Sequence, residues 1–184
     1  MTLETDRLIL RPWEESDAEA LYEYAKDPLV GPAAGWQPHM SVKNSLEIIK
    51  TVLSAPDTFA VCLKPDNTPI GSVGLFEPRS RGVKNRERET EIGYWIGVPF
   101  WGQGLIPEAV KRMQLYAFDF LGKTVMWCGY YDGNEKSKRA QEKCGFRYHH
   151  TEKNIYLPAF DEYRTEHFTR ITGTEWKNEN KKDR

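Results

Sequence analysis

With 184 residues, 39% hydrophobic and 12% aromatic, the chain is long enough for one domain with a sizeable core and offers no reason to expect a second. Its 26 basic and 27 acidic side chains leave a formal net charge of −1, which excludes recognition of nucleic acid or membrane by bulk charge, and no apolar run reaches bilayer-spanning length. The opening MTLETDRLIL carries neither a long apolar stretch nor a cleavage site, so a cytoplasmic protein is expected, and the scattered Cys62, Cys128 and Cys144 read as buried reduced thiols rather than a disulfide or metal site.

Leu8-Ile9-Leu10 predicts a short strand that Pro12 ends. Ser16-Asp17-Ala18-Glu19 has the spacing of a capping box, and Ala18, Leu21, Tyr22 and Ala25 supply the inward face of the helix that follows, until Pro28. Asp27 to Met40 carries three prolines and two glycines around Trp36 and His39, which predicts an irregular loop able to touch a substrate. Ser41 caps a second helix through Ser54, with Val42, Leu46, Ile49 and Leu53 on one side. Thr58 to Leu63 and Ile70 to Phe76 are rich in β-branched and aromatic residues around the turn residues Pro65-Asp66-Asn67-Thr68, which predicts a hairpin. The charged piece Arg79 to Glu89 reads as a solvated, mobile connection.

The stretch Thr90 to Lys111 organises the rest. Glu91-Ile92-Gly93-Tyr94-Trp95-Ile96 alternates as a half-buried strand, Val98-Pro99-Phe100 breaks it, and Trp101-Gly102-Gln103-Gly104 forms a glycine-bearing loop. From Leu105 the residues Ile106, Ala109, Val110, Met113, Ala117 and Phe120 recur at helical spacing. Glycines let a backbone approach a ligand closely, and the first amides of a helix point outward at the positive end of its dipole, which suits a phosphate. Beyond the cap at Gly122, Thr124 to Cys128 reads as a strand, Lys136 to Cys144 as a short helix between Asn134 and Gly145, and Phe146 to Ile155 and Tyr163 to Ile171 as two strands about Pro158. The order predicts an α/β (α+β type) fold with one mixed, mostly antiparallel sheet of about seven strands and about four helices, in a single domain over residues 1–172, and a disordered tail over 173–184.

This order of elements, together with Phe100-Trp101-Gly102-Gln103-Gly104, Asn134-Glu135-Lys136-Ser137 and Cys144-Gly145-Phe146, resembles the GCN5-related N-acetyltransferases (GNAT), and within them the branch of ribosomal-protein N-terminal acetyltransferases. The resemblance implies an acetyl-CoA-dependent transfer of an acetyl group to a primary amine, either a peptide amino terminus or a small amine, with no metal. It implies that the pyrophosphate of acetyl-CoA lies on amides of Trp101, Gly102, Gln103, Gly104, Leu105 and Ile106. The pantetheine arm then follows the strand edge of Ile96, Gly97 and Val98 where central strands splay, and Asn134 holds one of its amides; the plain alternative for Asn134 is a helix cap.

Direct transfer needs a base for the amine, a proton donor for the leaving thiolate and an N–H for the carbonyl oxygen, which the amide near Ile96 or Gly97 supplies. Glu91 is the first candidate for the base, against an ion-pair role for the same carboxylate, and Glu89 is the reserve. Where many relatives place a tyrosine acid this chain has Gln141, and Ser137 fills the position of a serine that contacts the thiol. Pro99 replaces the Gln or Arg that opens the loop in many relatives and, lacking an N–H, only shapes the entry. His149-His150 reads as solvated strand residues, and Trp36, His39, Tyr130, Tyr131 and Tyr156 as either acceptor-pocket lining or core. A non-catalytic acyl-CoA-binding module is the competing reading, and a homodimer is left open.

Overall fold

The strands expected from alternation all form in the computed structural model, which describes residues 1–182. In chain order the elements are β1 (Leu3–Glu4), β2 (Leu8–Arg11), α1 (Ala18–Ala25), α2 (Gly31–Ala34), α3 (Val42–Ile48), β3 (Thr58–Leu63), β4 (Pro69–Phe76) and β5 (Glu89–Ile96), then α4 (Leu105–Leu115), β6 (Val125–Tyr131), α5 (Glu135–Lys143), β7 (Arg147–Leu157), β8 (Glu162–Thr172) and α6 (Gly173–Lys182). The strands make one mixed sheet in the order β1-β2-β3-β4-β5-β6-β8-β7, so the α/β expectation holds with eight strands rather than about seven. The extra strand, β1, has two residues, too few for alternation to register. β5 and β6 are parallel, as the intervening helix α4 requires, and their register covers only Glu89–Glu91 against Val125–Trp127.

Two compact units are built from these elements, Met1–Gly74 with Tyr94–Ala109, and Leu75–Gly93 with the described part of Val110–Arg184. In the first, Trp13, Leu21, Ala25, Ile49, Ala60 and Cys62 form the core, with Trp36 and Trp95 packed against it. The α1 start differs from the expected capping box at Ser16 and Glu19. Asp17 takes both guanidinium nitrogens of Arg11 at 2.8 and 2.9 Å and also accepts the Glu14 N–H at 2.9 Å, so the chain enters α1 through a 3-10 turn at Glu15–Asp17. Ser41 caps α3 as expected, its Oγ accepting the Asn44 N–H at 3.1 Å. The loop Asp27 to Met40 is not wholly irregular. Pro32 sits in the first turn of α2, where its missing N–H costs nothing, and Gly35 closes that helix at φ 90°.

In the second unit Met126, Trp127, Phe168 and Ile171 are fully buried around β6 and β8. The helix begun by α4 widens into a π turn at Tyr116–Phe120, so the periodicity that would place Phe120 inward no longer holds and its ring is 69% exposed. The tail also departs from expectation. Gly173 to Lys182 is helical because Trp176 finds an aromatic partner in Phe118, ring centroids 5.4 Å apart, which anchors a segment whose composition alone suggests disorder. Residues 183–184 lie outside the described part.

Candidate active site

In the first unit the segment from Ile96 to Ile106 forms a tight turn between β5 and α4. Gly97 must be glycine, since a Cβ there would lie 2.6 Å from the Tyr24 ring. The Gly97 N–H donates to Ile70 O at 2.8 Å, and its carbonyl accepts the Phe100 N–H at 3.0 Å, opening a 3-10 turn over Val98–Phe100. The Trp101 indole returns to Ile96 O at 2.9 Å. Of the two amides expected to serve a carbonyl oxygen, Gly97's is therefore spent within the sheet, while alternation aims that of Ile96 at the opposite strand edge. Gly102 and Gly104 take φ of 77° and 74°, left-handed values that other residues adopt at a cost, and α4 starts with the Glu108 N–H donating to Gly104 O at 3.2 Å. The amides of Leu105 and Ile106 precede that first helical bond, and Pro107 has none, so the turn presents N–H groups at a helix amino terminus.

Arg7 braces this turn, a role not visible in the sequence because its partners lie about a hundred residues away. Its Nη1 donates to Gln103 O at 3.0 Å and its Nε to Glu108 Oε2 at 2.7 Å. Burial raises the Glu108 carboxyl, but bonds from Thr5 and Arg7 more than offset it and hold the group below the ordinary carboxylate value. Trp36 and His39, in the same unit, are half-buried; His39 Nδ1 lies 2.8 Å from Ser45 Oγ, and burial lowers its affinity for a proton.

In the second unit the expected mobile connection after β4 is tied to the sheet by glutamates. Glu91 Oε2 accepts the Arg79 N–H at 2.7 Å, Glu152 Oε1 accepts the Arg81 N–H at 2.8 Å, and Glu89 Oε1 accepts the N–H groups of Lys84 and Asn85 at 3.1 and 2.9 Å. Glu89 Oε2 accepts the Trp127 indole N–H at 2.7 Å, so the reserve candidate for the base is occupied as an anchor. Glu91 is buried and also receives Arg79 Nε at 3.0 Å and Nη2 at 2.6 Å, which is the ion-pair alternative for this residue. The same Nη2 reaches Glu166 Oε1 on β8 at 3.0 Å. Burial pushes the Glu166 carboxyl up, against the opposing pull of Arg79. Neither Arg79 nor Glu166 stands out in the sequence, since one lies in a charged run and the other in an unremarkable strand.

Asn134 caps α5, its side-chain oxygen accepting the Ser137 N–H at 3.1 Å. Gln141, buried on α5, donates to Gly129 O and to Ser137 Oγ, each at 3.1 Å, and accepts the Thr169 hydroxyl at 2.7 Å. Thr169 and Glu166 point to opposite faces of β8, three residues apart, so α5 with Ser137 covers one face of the sheet while Glu91 and Glu166 meet Arg79 on the other. A cavity of about 270 Å³ opens at the end of β6, lined by Tyr131, Asp132, Arg164 and Thr165.

Other candidates make contacts within the second unit or are buried thiols. His149 and His150 face each other with Nδ1 atoms 2.8 Å apart, and His150 Nε2 lies 2.9 Å from Glu152. Tyr130 stacks near His167 at 5.0 Å, and Tyr156 is exposed, donating to Asp161. Cys62, Cys128 and Cys144 are buried thiols, and burial pushes Cys62 and Cys144 up to about 12. Among the described residues no group of three or more His, Cys, Asp or Glu could hold a metal ion, and no helix is long and apolar enough to cross a membrane.

Residues 7–147 match the profile of the family described as an acetyltransferase (GNAT) domain. The chain is 27% identical over 150 residues to an uncharacterized N-acetyltransferase, YoaA, of Bacillus subtilis, covering 79% of this chain and 82% of that one. Its fold superposes on an acetyltransferase (GNAT family) from Bacillus anthracis with a TM-score of 0.78 at 23% identity, covering 95% of this chain and 99% of that one. It also superposes on a ribosomal-protein-S5-alanine acetyltransferase from Vibrio fischeri with a TM-score of 0.72 at 19% identity, covering 96% and 98%.

Proposed function

The chain belongs to the GNAT family of acetyltransferases, and from that membership we propose that it transfers the acetyl group of acetyl-CoA to a primary amine by direct attack on the thioester. The observation that carries the reading is the turn into α4, where Gly102 and Gly104 at positive φ lead to the amides of Leu105 and Ile106 at a helix amino terminus. A diphosphate needs several convergent donors, and this turn offers them without a lysine cluster. We assign the pyrophosphate to Trp101–Ile106, the pantetheine arm to the edge of Ile96–Val98, and one of its amides to Asn134. Because Gly97 N–H is bonded to Ile70, the carbonyl oxygen falls to the Ile96 amide.

In the reaction the amine gives up a proton, its nitrogen bonds to the carbonyl carbon, and the carbon–sulfur bond breaks to release CoA. Glu91 is the group proposed to take the proton and Ser137 the hydroxyl that hydrogen-bonds the leaving sulfur. Gln141 Nε2 donates to Ser137 Oγ, which orients the hydroxyl. The acceptor is a peptide amino terminus or a small amine; the likeness to an S5-alanine acetyltransferase favours including alanine-terminated peptides in any panel. The test is to supply acetyl-CoA with peptides and amines and to follow free thiol. Glu91→Gln should lower kcat by about 10²-fold or more and Ser137→Ala by about tenfold, with acetyl-CoA binding retained. No turnover over the panel, together with no acetyl-CoA binding by calorimetry, would sink the proposal.

A further inference from the structure

The contact between Arg79, Glu91 and Glu166 is unbalanced in charge and in burial. The two carboxylate side chains are 5% and 4% exposed, yet the guanidinium side chain that covers them is 59% exposed. Two acids share one base, and Glu166 Oε2 is buried without a hydrogen-bond partner while its other oxygen holds Arg79 Nη2. A buried carboxylate oxygen left unsatisfied is costly, so the pair is built for more cationic donors than Arg79 supplies. Gly129, on the strand between them, leaves room for this placement, because a Cβ at that position would displace the Glu166 carboxylate.

The loop does not need the guanidinium to stay in place. Its backbone is held separately, by Arg79 N–H on Glu91, Arg81 N–H on Glu152, and Lys84 and Asn85 N–H on Glu89. The Arg79 side chain can therefore swing into solvent while the loop remains docked. Tyr131 lies directly opposite Glu166 in the β6–β8 register and also lines the cavity at the end of β6, where Asp132 adds a further carboxylate. Arg164, the cation of that cavity, pairs with Glu162 and stacks between the Tyr131 and Phe160 rings.

We propose that Glu91 and Glu166 form the seat for the cationic nitrogen of the acceptor, and that Arg79 fills this seat as an internal competitor which the acceptor displaces. The inference rests on the acetyl-transfer reading and narrows its acceptor to amines that arrive as ammonium ions. Binding of the acceptor then exchanges one cation for another on the same two carboxylates, so selectivity for charged amines comes with no net burial of new charge.

The test is calorimetric binding of butane-1,4-diamine, with butane-1,4-diol as the uncharged control, to the wild type, Arg79→Ala, Arg79→Lys and Glu166→Gln. Removing the competitor should tighten diamine binding about tenfold in Arg79→Ala, Arg79→Lys should tighten it about threefold because lysine makes fewer bonds, and Glu166→Gln should weaken it about tenfold. The diol should bind none of them. Diamine affinity unchanged across the folded variants overturns the proposal, as does equal binding of diol and diamine. If Arg79→Ala does not fold, the lysine and glutamine variants decide the matter by the same criterion. Acetyl-CoA binding and thiol release are measured alongside: unaltered diamine binding with acetyl-CoA turnover intact removes the ammonium seat alone, whereas loss of all acetyl-CoA binding removes the acetyl-transfer reading.

Discussion

Gln141 shows why a family position cannot be read from residue type alone. As a replacement for tyrosine it looks like a lost acid, but its three hydrogen bonds join α5 to β6 and β8 and set the rotamer of Ser137. Replacing it with leucine would take the Gln141 donor from the Gly129 carbonyl and leave the Thr169 hydroxyl only its bond to Cys128 O at 3.2 Å. Gln141→Leu should therefore cost about 1–3 kcal/mol in urea unfolding, and lower kcat through Ser137 without weakening acetyl-CoA binding. Gln141→Tyr should not restore an acid, because the side chain is 1% exposed and a larger ring overpacks the site; a cost of about 1–3 kcal/mol and no gain in thiol release are expected. An increase in kcat for Gln141→Tyr would contradict this account. The caps at Ser41 and Asn134 were legible in the sequence because capping is local, within three residues. The strand partners of Gln141 and Arg79, Gly129, Thr169, Glu91 and Glu166, were not, because they are distant in the chain.

At the level of elements, the connection between β4 and β5 behaves as a strap whose buckles are Glu89, Glu91 and Glu152. A charged run reads as solvent-loving, yet here backbone N–H groups of the run dock onto carboxylates of β5 and β7, a pairing that periodicity cannot reveal. Glu89 also accepts the Trp127 indole, so Glu89→Gln must turn an NH₂ toward either that N–H or the loop amides. A loss of about 1–3 kcal/mol is expected in urea unfolding, with faster hydrogen exchange at Lys84 and Asn85. The strap should also respond to acid. Glu152 is raised by burial but lowered further by the Arg81 amide and His150, a net shift below its ordinary 4.5. Burial, then the charges of Arg170, His150 and Lys84, hold His149 below its ordinary 6.5. The strap supplies part of each shift, through the Arg81 amide on Glu152 and the Lys84 charge on His149, so docking is fully supported above the ordinary values and weakens as pH falls through the shifted ones. Protection factors of the Arg81 to Asn85 amides, corrected for intrinsic rates, should fall below pH 6.5 and again below 4.5. A flat profile would refute the His149 and Glu152 contributions, and His149→Asn should remove the upper limb alone.

For the whole molecule, the order of the longer strands and of α1, α3, α4 and α5 was readable because each announces itself within a dozen residues, and the strand, glycine loop, helix, strand sequence forces a parallel pair, whereas β1, α2 and α6 were not foreseen. What was not readable is lateral order. β8 lies between β6 and β7, and nothing in the alternation of Phe146 to Ile171 selects that arrangement over its reverse. The cofactor half of the proposed site was legible for the same reason as the fold, since Trp101 to Ile106 is contiguous; the acceptor half was not, since Arg79, Glu91 and Glu166 meet only through the sheet. This difference makes the contiguous half the better global test. A ligand that binds the folded state alone stabilises it by about 2.7 kcal/mol at a hundred times its Kd, which for a chain of this size raises Tm by about 5–10 °C. Acetyl-CoA should produce such a rise in the wild type. Gly102 and Gly104 stand at positive φ with nothing within 4 Å of a Cβ at Gly102, so Gly102→Ala suffers backbone strain without a clash. That variant should melt a few degrees lower, at a cost of about 1 kcal/mol, and Gly104→Ala likewise. Both should show a smaller rise with acetyl-CoA, since relieving the strain turns the loop amides away from the pyrophosphate. Thermal melts with and without the ligand check this directly: a full rise in both glycine variants would show that the turn into α4 does not hold the diphosphate.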